Sequence, residues 1–167
     1  MKRMTEQNLD AAFAGESMAH MRYLIFAERA ERERKPNIAR LFRAISFAEQ
    51  AHATNHYREL GMIKTTAENL VTAIEGEEFE VAEMYPAYLE VAKLQEERGA
   101  QRSFNYAVEA EKIHAGLYRS TREKAEAGED IELGTVYICS ICGHTVEGEA
   151  PDRCPICGAR KELYKAF

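Results

Sequence analysis

Two short stretches carry the same pair of metal-competent side chains. Ala48–Ala53 reads AEQAHA, and Ala110–Ala115, sixty-two positions later, reads AEKIHA. A glutamate and a histidine three residues apart share one helix face, so both can address one site. A single ExxH in a charged helix is ordinarily a surface pair. Here each copy also has an upstream partner. Glu16, in Gly15–Glu16, lies 33 residues before Glu49, and Glu77, in Gly76–Glu77, lies 34 residues before Glu111. A tyrosine follows each, at Tyr23 and Tyr85. The chain therefore reads as two copies of one helix pair, with Glu on the first helix and ExxH on the second.

The apolar periodicity turns these groups inward. Ile38, Leu41, Phe42 and Ile45 mark a buried stripe that leads to Glu49 and His52. Phe104, Val108 and Tyr118 bracket Glu111 and His114. Leu9, Phe13, Tyr23 and Ala27 bracket Glu16. Leu70, Val81, Met84 and Tyr88 bracket Glu77 and Glu80. Five converging carboxylates would unfold a domain whose stability margin is roughly 5–15 kcal/mol, unless cations sit among them. Five ionised Glu against two ferrous ions leave about −1, and a ferric pair sharing an oxide leaves the same. Mixed carboxylate and imidazole donors suit iron or manganese. Two such helix pairs give the arrangement of a ferritin-like di-iron bundle.

All four cysteines fall late, as Cys139-x-x-Cys142 and Cys154-x-x-Cys157. The paired spacing is a strong tetrathiolate signal, for zinc or for iron. Beside a redox di-metal bundle, iron is favoured, because a one-electron carrier is useful there. Free CxxC pairs imply a reducing cytoplasm. The opening residues carry no export pattern, and no run of about 18 apolar residues exists to span a membrane. The net charge of −6 argues against a nucleic-acid partner.

These groups need long helices to hold them. Residues 5 to about 127 are rich in helix formers, with breaks at Pro36, Gly61, Gly99 and Gly128. Pro36 suits the first turn of a second helix, Gly61 its end, and Thr65 with Glu68 a capping box opening a third. Gly99 is expected to separate the third and fourth helices, and Pro86 to kink the third. From Gly134 the composition shifts to β-type residues and turns. The expectation is a mainly α domain over residues 1–134, a four-helix bundle, followed at 135–167 by a small metal-pinned module of short strands. His20 and His56 are expected beside the site or at the surface, and His144 exposed in a knuckle loop.

With AFAGESMAHMRY, FAEQAH, EGEEFEVAEMYP and EAEKIH followed by the cysteine module, the sequence closely resembles the rubrerythrin family over nearly its whole length. The resemblance implies a ferritin-like bundle plus a rubredoxin-like domain. It implies a non-haem di-iron peroxidase that reduces hydrogen peroxide to water in oxidative-stress defence. Matched by motif, Glu16, Glu49, His52, Glu77, Glu80, Glu111 and His114 hold two irons, and Cys139, Cys142, Cys154 and Cys157 hold one more. Tyr23 and Tyr85 match tyrosines that hydrogen-bond near the irons. One iron exchanges a carboxylate for a histidine on reduction, which position matching assigns to Glu80 and His52. An external donor, a rubredoxin or an NAD(P)H-dependent reductase, supplies the electrons. Ferroxidase activity, or iron handling, is the alternative function.

One geometric departure concerns the connection between helices two and three. A helix from Pro36 to about Gly61 is roughly 39 Å long, and Met62–Thr65 reach only about 14–17 Å. That segment cannot recross a bundle. A homodimer exchanging helix pairs is therefore expected, with a plain up-down bundle in one chain as its rival.

Overall fold

The computed structural model describes residues 1–167. Five helices and a three-stranded sheet divide into two compact units, Met1–Lys64 and Thr65–Phe167. No helix is long and apolar enough to cross a membrane.

The first unit is a helical hairpin, α1 (Arg3–Arg32) and α2 (Pro36–Glu59). Alanines let the two backbones approach near the turn: Ala27, Ala30 and Ala39 are buried together, with Phe42 packed on them. The next layer is aromatic, Tyr23, Phe26 and Phe42. Beyond it lies a polar clasp. Ser46 Oγ donates to the His20 carbonyl (2.9 Å), and His20 Nδ1 lies 2.9 Å from the Ser46 carbonyl. Phe13 stacks on Tyr57 at the far end, with ring centroids 4.7 Å apart. Pro36 occupies the first turn of α2, and Gly61 follows its end at φ +68°, as expected.

The stripe from Ile38 to Ile45 departs from expectation. Phe42 packs against α1, but Ile38, Leu41 and Ile45 are exposed, Leu41 to 61%. A two-helix hairpin has one internal seam, and these residues lie outside it.

The second unit starts with the capping box. Thr65 Oγ1 accepts from the Glu68 N–H, and the Glu68 carboxylate accepts from the Thr65 N–H. Helix α3 (Thr66–Phe79) runs into a π turn (Glu80–Met84), then into α4 (Tyr85–Leu94) and, after a turn, α5 (Arg98–Glu126). Pro86 lies in the first turn of α4, and the irregularity in this helix is the π turn just upstream of it. Gly99 does not separate the helices; it lies inside α5, and the break falls at Gln95–Glu97. The chain reverses there through Glu96 at φ +58°, sixty-two positions after Arg34, also at φ +58°. Both turns close alike. Lys35 N–H donates to Ala30 O (2.8 Å), and Glu97 N–H donates to Ala92 O (2.9 Å). The sequence repeat is thus a repeat of hairpin geometry, and its turns are legible only through backbone strain on non-glycine residues.

The π turn also accounts for the one-residue mismatch between the copies. Tyr23 follows Glu16 by seven positions, while Tyr85 follows Glu77 by eight. A π turn is one extra residue accommodated within a helix, and it lies between Glu77 and Tyr85.

At the C-terminus β1 (Val136–Cys139) is central, with β2 (Thr145–Glu147) and β3 (Tyr164–Ala166) antiparallel on either side. Tyr106 of α5 packs against the buried Cys139, Cys142 and Cys154.

The alanine seam gives a direct test. Ala39→Leu inserts three carbons where no exposed area remains. The urea midpoint should fall, corresponding to about 1–3 kcal/mol, with the slope of the transition unchanged.

Candidate metal centres

Each hairpin gathers one glutamate from its first helix and an ExxH pair from its second. In the first unit these are Glu16, Glu49 and His52; in the second, Glu77, Glu111 and His114. Within each triad one donor atom per residue lies within 4.8 Å of the others. The antiparallel hairpin produces this directly: it sets Glu16 on α1 opposite the Glu49–His52 face of α2, and Glu77 on α3 opposite Glu111 and His114 on α5.

The two triads differ in detail. His52 Nδ1 lies 3.1 Å from Glu49 Oε2 and 3.7 Å from Glu16 Oε1, with its side chain more than half exposed. His114 Nδ1 lies 2.6 Å from Glu111 Oε2, and its Nε2 lies 2.8 Å from Thr145 Oγ1 of the cysteine module. Burial raises the Glu77 carboxyl to about 7, and the facing Glu111 adds to the shift. Burial and Glu111 raise Glu80 as well. Tyr85 is pushed up by burial and then by Glu80, Glu111 and Glu77. Tyr23 lies in the aromatic layer with Phe26 and Phe42.

The four cysteines are free of disulfides, and their sulfurs converge within the same 4.8 Å limit. Cys139 and Cys157 sulfurs are 3.6 Å apart, and those of Cys142 and Cys154 are 3.4 Å apart. Burial raises the Cys142 thiol. For Cys154 burial also raises it, but hydrogen bonds from Tyr164 and from the backbone of Cys157 and Ile156 prevail and bring it down to about 6. A cluster of four sulfurs with one already disposed to ionise fits a tetrathiolate metal. His144 is not exposed: it is buried, and its Nδ1 pairs with the Tyr164 hydroxyl at 2.9 Å. A histidine after a CxxC knuckle gives no sign in sequence of the tyrosine twenty positions on that will cover it. Nor did anything in the sequence mark Thr145 or the His20–Ser46 clasp.

Two carboxylate–histidine triads on helical hairpins, followed by a four-sulfur knuckle, define a di-metal carboxylate protein with an appended electron-carrier site. The comparisons agree. The rubrerythrin family model matches residues 7–122, and the model of the rubrerythrin rubredoxin-like domain matches 137–165. Rubrerythrin-2 of Clostridium acetobutylicum is 47% identical, over 98% of this chain and 97% of its own length. Nigerythrin of Nitratidesulfovibrio vulgaris is 34% identical, over 98% of this chain and 86% of its own. A solved structure described as the fully reduced, all-ferrous state of nigerythrin matches at TM-score 0.57 and 31% identity, over 98% of this chain and 86% of that one. The chain belongs to the rubrerythrin family. It is an iron-dependent oxidoreductase with a ferritin-like di-iron domain and a rubredoxin-like iron domain, the latter giving it an electron-transfer role.

The raised Glu77 has a thermodynamic consequence. Its folded value, about 7, lies above the unfolded 4.5. The folded state therefore holds the proton more tightly, and the metal-free protein gains stability as pH falls from 7 toward 4.5. In metal-free protein the melting temperature should rise across that window, and Glu77→Gln should flatten the rise. A melting temperature independent of pH in the unsubstituted protein would contradict it.

Proposed function

We propose that this protein is a peroxidase that reduces hydrogen peroxide to water at the di-iron centre, drawing electrons through its tetrathiolate iron. The observation that carries this reading is that the cysteine module and the Glu77–Glu111–His114 triad belong to one compact unit, and that Thr145 of the module hydrogen-bonds to His114. Iron oxidation, the competing activity, brings electrons with its ferrous substrate and needs no resident donor. Cleaving a peroxide needs two electrons supplied from within, and a one-electron carrier beside the site meets that need.

The ligands are Glu16, Glu49, His52, Glu77, Glu80, Glu111 and His114, with Cys139, Cys142, Cys154 and Cys157 holding the third iron. When bound, the iron pair supplies two electrons to the O–O bond. The residues supply the rest. Five carboxylates against two cations keep the site's net charge near −1. In this reading Glu80, three residues beyond Glu77 and at the start of the π turn, exchanges with His52 as a ligand. The Tyr85 phenol, held protonated, can donate a hydrogen bond to a bound oxygen atom. Residues 1–134 form the catalytic domain and 135–167 the carrier. Four free thiols serving as ligands suit the reducing cytoplasm, and an external rubredoxin or NAD(P)H-dependent reductase refills the carrier.

Each triad alone is half a site, and two chains complete it. The exposed Ile38, Leu41 and Ile45 continue along α2 into Glu49 and His52, so whatever covers that stripe also faces the ligands. The occupant is the α3–α5 hairpin of a second copy. Helix α2 has 24 residues and is about 36 Å long, while Leu60–Thr65 spans about 20 Å at most, too short to recross a bundle. Each site then takes Glu16, Glu49 and His52 from one subunit and Glu77, Glu80, Glu111 and His114 from the other.

A complementation experiment tests activity and assembly together. A chain carrying Glu49→Ala and His52→Ala is co-expressed with one carrying Glu111→Ala and His114→Ala. Exchange leaves one complete site in each mixed dimer, so about a quarter of the sites recover under random pairing. Peroxide should then reoxidise the reduced mixture rapidly, at about that fraction of the unsubstituted amplitude. A mixture as inert as either variant alone would reject exchange. Unsubstituted reduced protein reoxidised by oxygen but not by peroxide would reject the peroxidase.

A further inference from the structure

Helix α1 carries two apolar stripes, and its hairpin uses one of them. Phe13, Tyr23, Ala27 and Ala30 meet α2, on the side that also presents Glu16. The second stripe is Met4, Ala11, Ala14, Met18, Met21 and Ile25, with Gln7 as its polar member. From Met4 to Ile25 its steps alternate strictly between three and four residues, which is the seam spacing of a coiled coil. Every member is exposed, Met4 to 74% and Met21 to 54%. Glu16 stands two residues from both Ala14 and Met18, about 200° around the helix from each. A hairpin closing over the ligands therefore leaves this stripe bare. The repeat does not require it either: sixty-two positions on, Met21 and Ile25 become Glu83 and Ala87.

The sizes along the stripe identify its partner. It is small at Ala11 and Ala14 and large at Met18, Met21 and Ile25. A second α1 laid antiparallel, about a two-fold axis level with Glu16, sets Ala14 against Met18 and Ala11 against Met21 on both sides of the axis. Large side chains then fill the room that small ones leave. In parallel pairing Met18 and Met21 would face their own copies, and the alanines would face alanines across a gap. The antiparallel register also brings Gly15 beside its copy at the axis, where a glycine adds no side chain between the helices. It sets Arg3 beside Glu31, whose carboxylate binds Arg43 through one oxygen at 2.8 Å and keeps the other.

We propose that the outward face of α1 is a self-association surface, pairing antiparallel with α1 of a second copy along the Met4–Ile25 stripe. Such an isologous contact forms every interaction twice. The surface is separate from the face that presents the iron ligands. It rests on neither the peroxidase reading nor the exchange of helix pairs, and all can hold together because they use different sides of the helix.

Disulfide trapping in the full chain tests the surface and its register. Chains carrying Ala11→Cys are co-expressed with chains carrying Met21→Cys, loaded with iron so that the four native cysteines are ligated, and oxidised mildly. Denaturing electrophoresis without reductant should show a covalent dimer holding up to about half of the chains, the share of mixed pairs under random association. Either variant alone should stay unlinked, because the register separates position 11 from its own copy, and 21 from its own, by about 15 Å along the helix. Phe47→Cys, exposed on α2, is the collision control and should link to neither. Adding Met18→Asp and Ile25→Asp to both chains should abolish the link, while the melting temperature and the visible absorption of the tetrathiolate iron show the fold retained. Absence of a link in the co-expressed sample would overturn the surface. Self-linking by Met21→Cys alone would overturn the register. A link that survives the aspartates, or forms as readily with Phe47→Cys, would reduce the contact to chance collision and overturn the proposal.

Discussion

Carboxylates pressed together in a half-buried seam set the terms for the rest of this molecule. Like charges at this spacing raise one another's proton affinity, and desolvation raises it further. Glu77 records both effects. In the metal-free state a proton partly compensates; in the loaded state cations take over that role. Either way the helices must hold acidic groups where an ordinary core would expel them. The hairpins do so with contacts on both sides of the triad. In the first, the Phe13–Tyr57 stack lies on one side, and the His20–Ser46 clasp and the aromatic layer lie on the other. The stabilising apolar and polar contacts flank the seam, and the destabilising ones stay confined to it.

Duplication supplied the frame, and one added residue differentiated it. Arg34 and Glu96 turn the two hairpins with the same left-handed backbone, and Glu16, Glu49 and His52 correspond to Glu77, Glu111 and His114. The π turn then separates the copies. It begins at Glu80, a carboxylate three residues beyond Glu77; the position three beyond Glu16 is Ala19. The second hairpin thereby gains an acid that the first lacks, and the symmetry of two equal triads gives way to three carboxylates on one side and two on the other. π turns recur at functional positions because they re-aim side chains without ending the helix. Here the insertion is visible in sequence as a bare offset of one residue between the repeats.

What the sequence disclosed was what local chemistry dictates. Pro36, Gly61, the Thr65–Glu68 box, both ExxH pairs and the paired CxxC spacing are decided within a few residues of themselves, and each falls where its neighbours place it. Gly99 misled because glycine permits a turn without requiring one; the strained positions went to Arg34 and Glu96, which no propensity scale favours. The exposed Ile38, Leu41 and Ile45 were periodic in the right way for burial, but periodicity names a face and not its cover. His144 and Thr145 depend on partners twenty and thirty-one positions away, a separation at which no pattern in a single sequence speaks.

The two histidines show how the same motif can hold different duties. Both occupy the third position after a glutamate, and both turn Nδ1 toward it. His114 is held from behind by the Thr145 hydroxyl, 2.8 Å from its Nε2. His52 is held only from the front, by two carboxylates, with more than half its side chain exposed. A ligand that must stay while electrons arrive needs the first kind of support, and a ligand that must come and go needs the second. The ligand exchange proposed for His52 and Glu80 draws on the histidine with the more exposed side chain. The cysteine module is fastened to the other histidine, through Thr145.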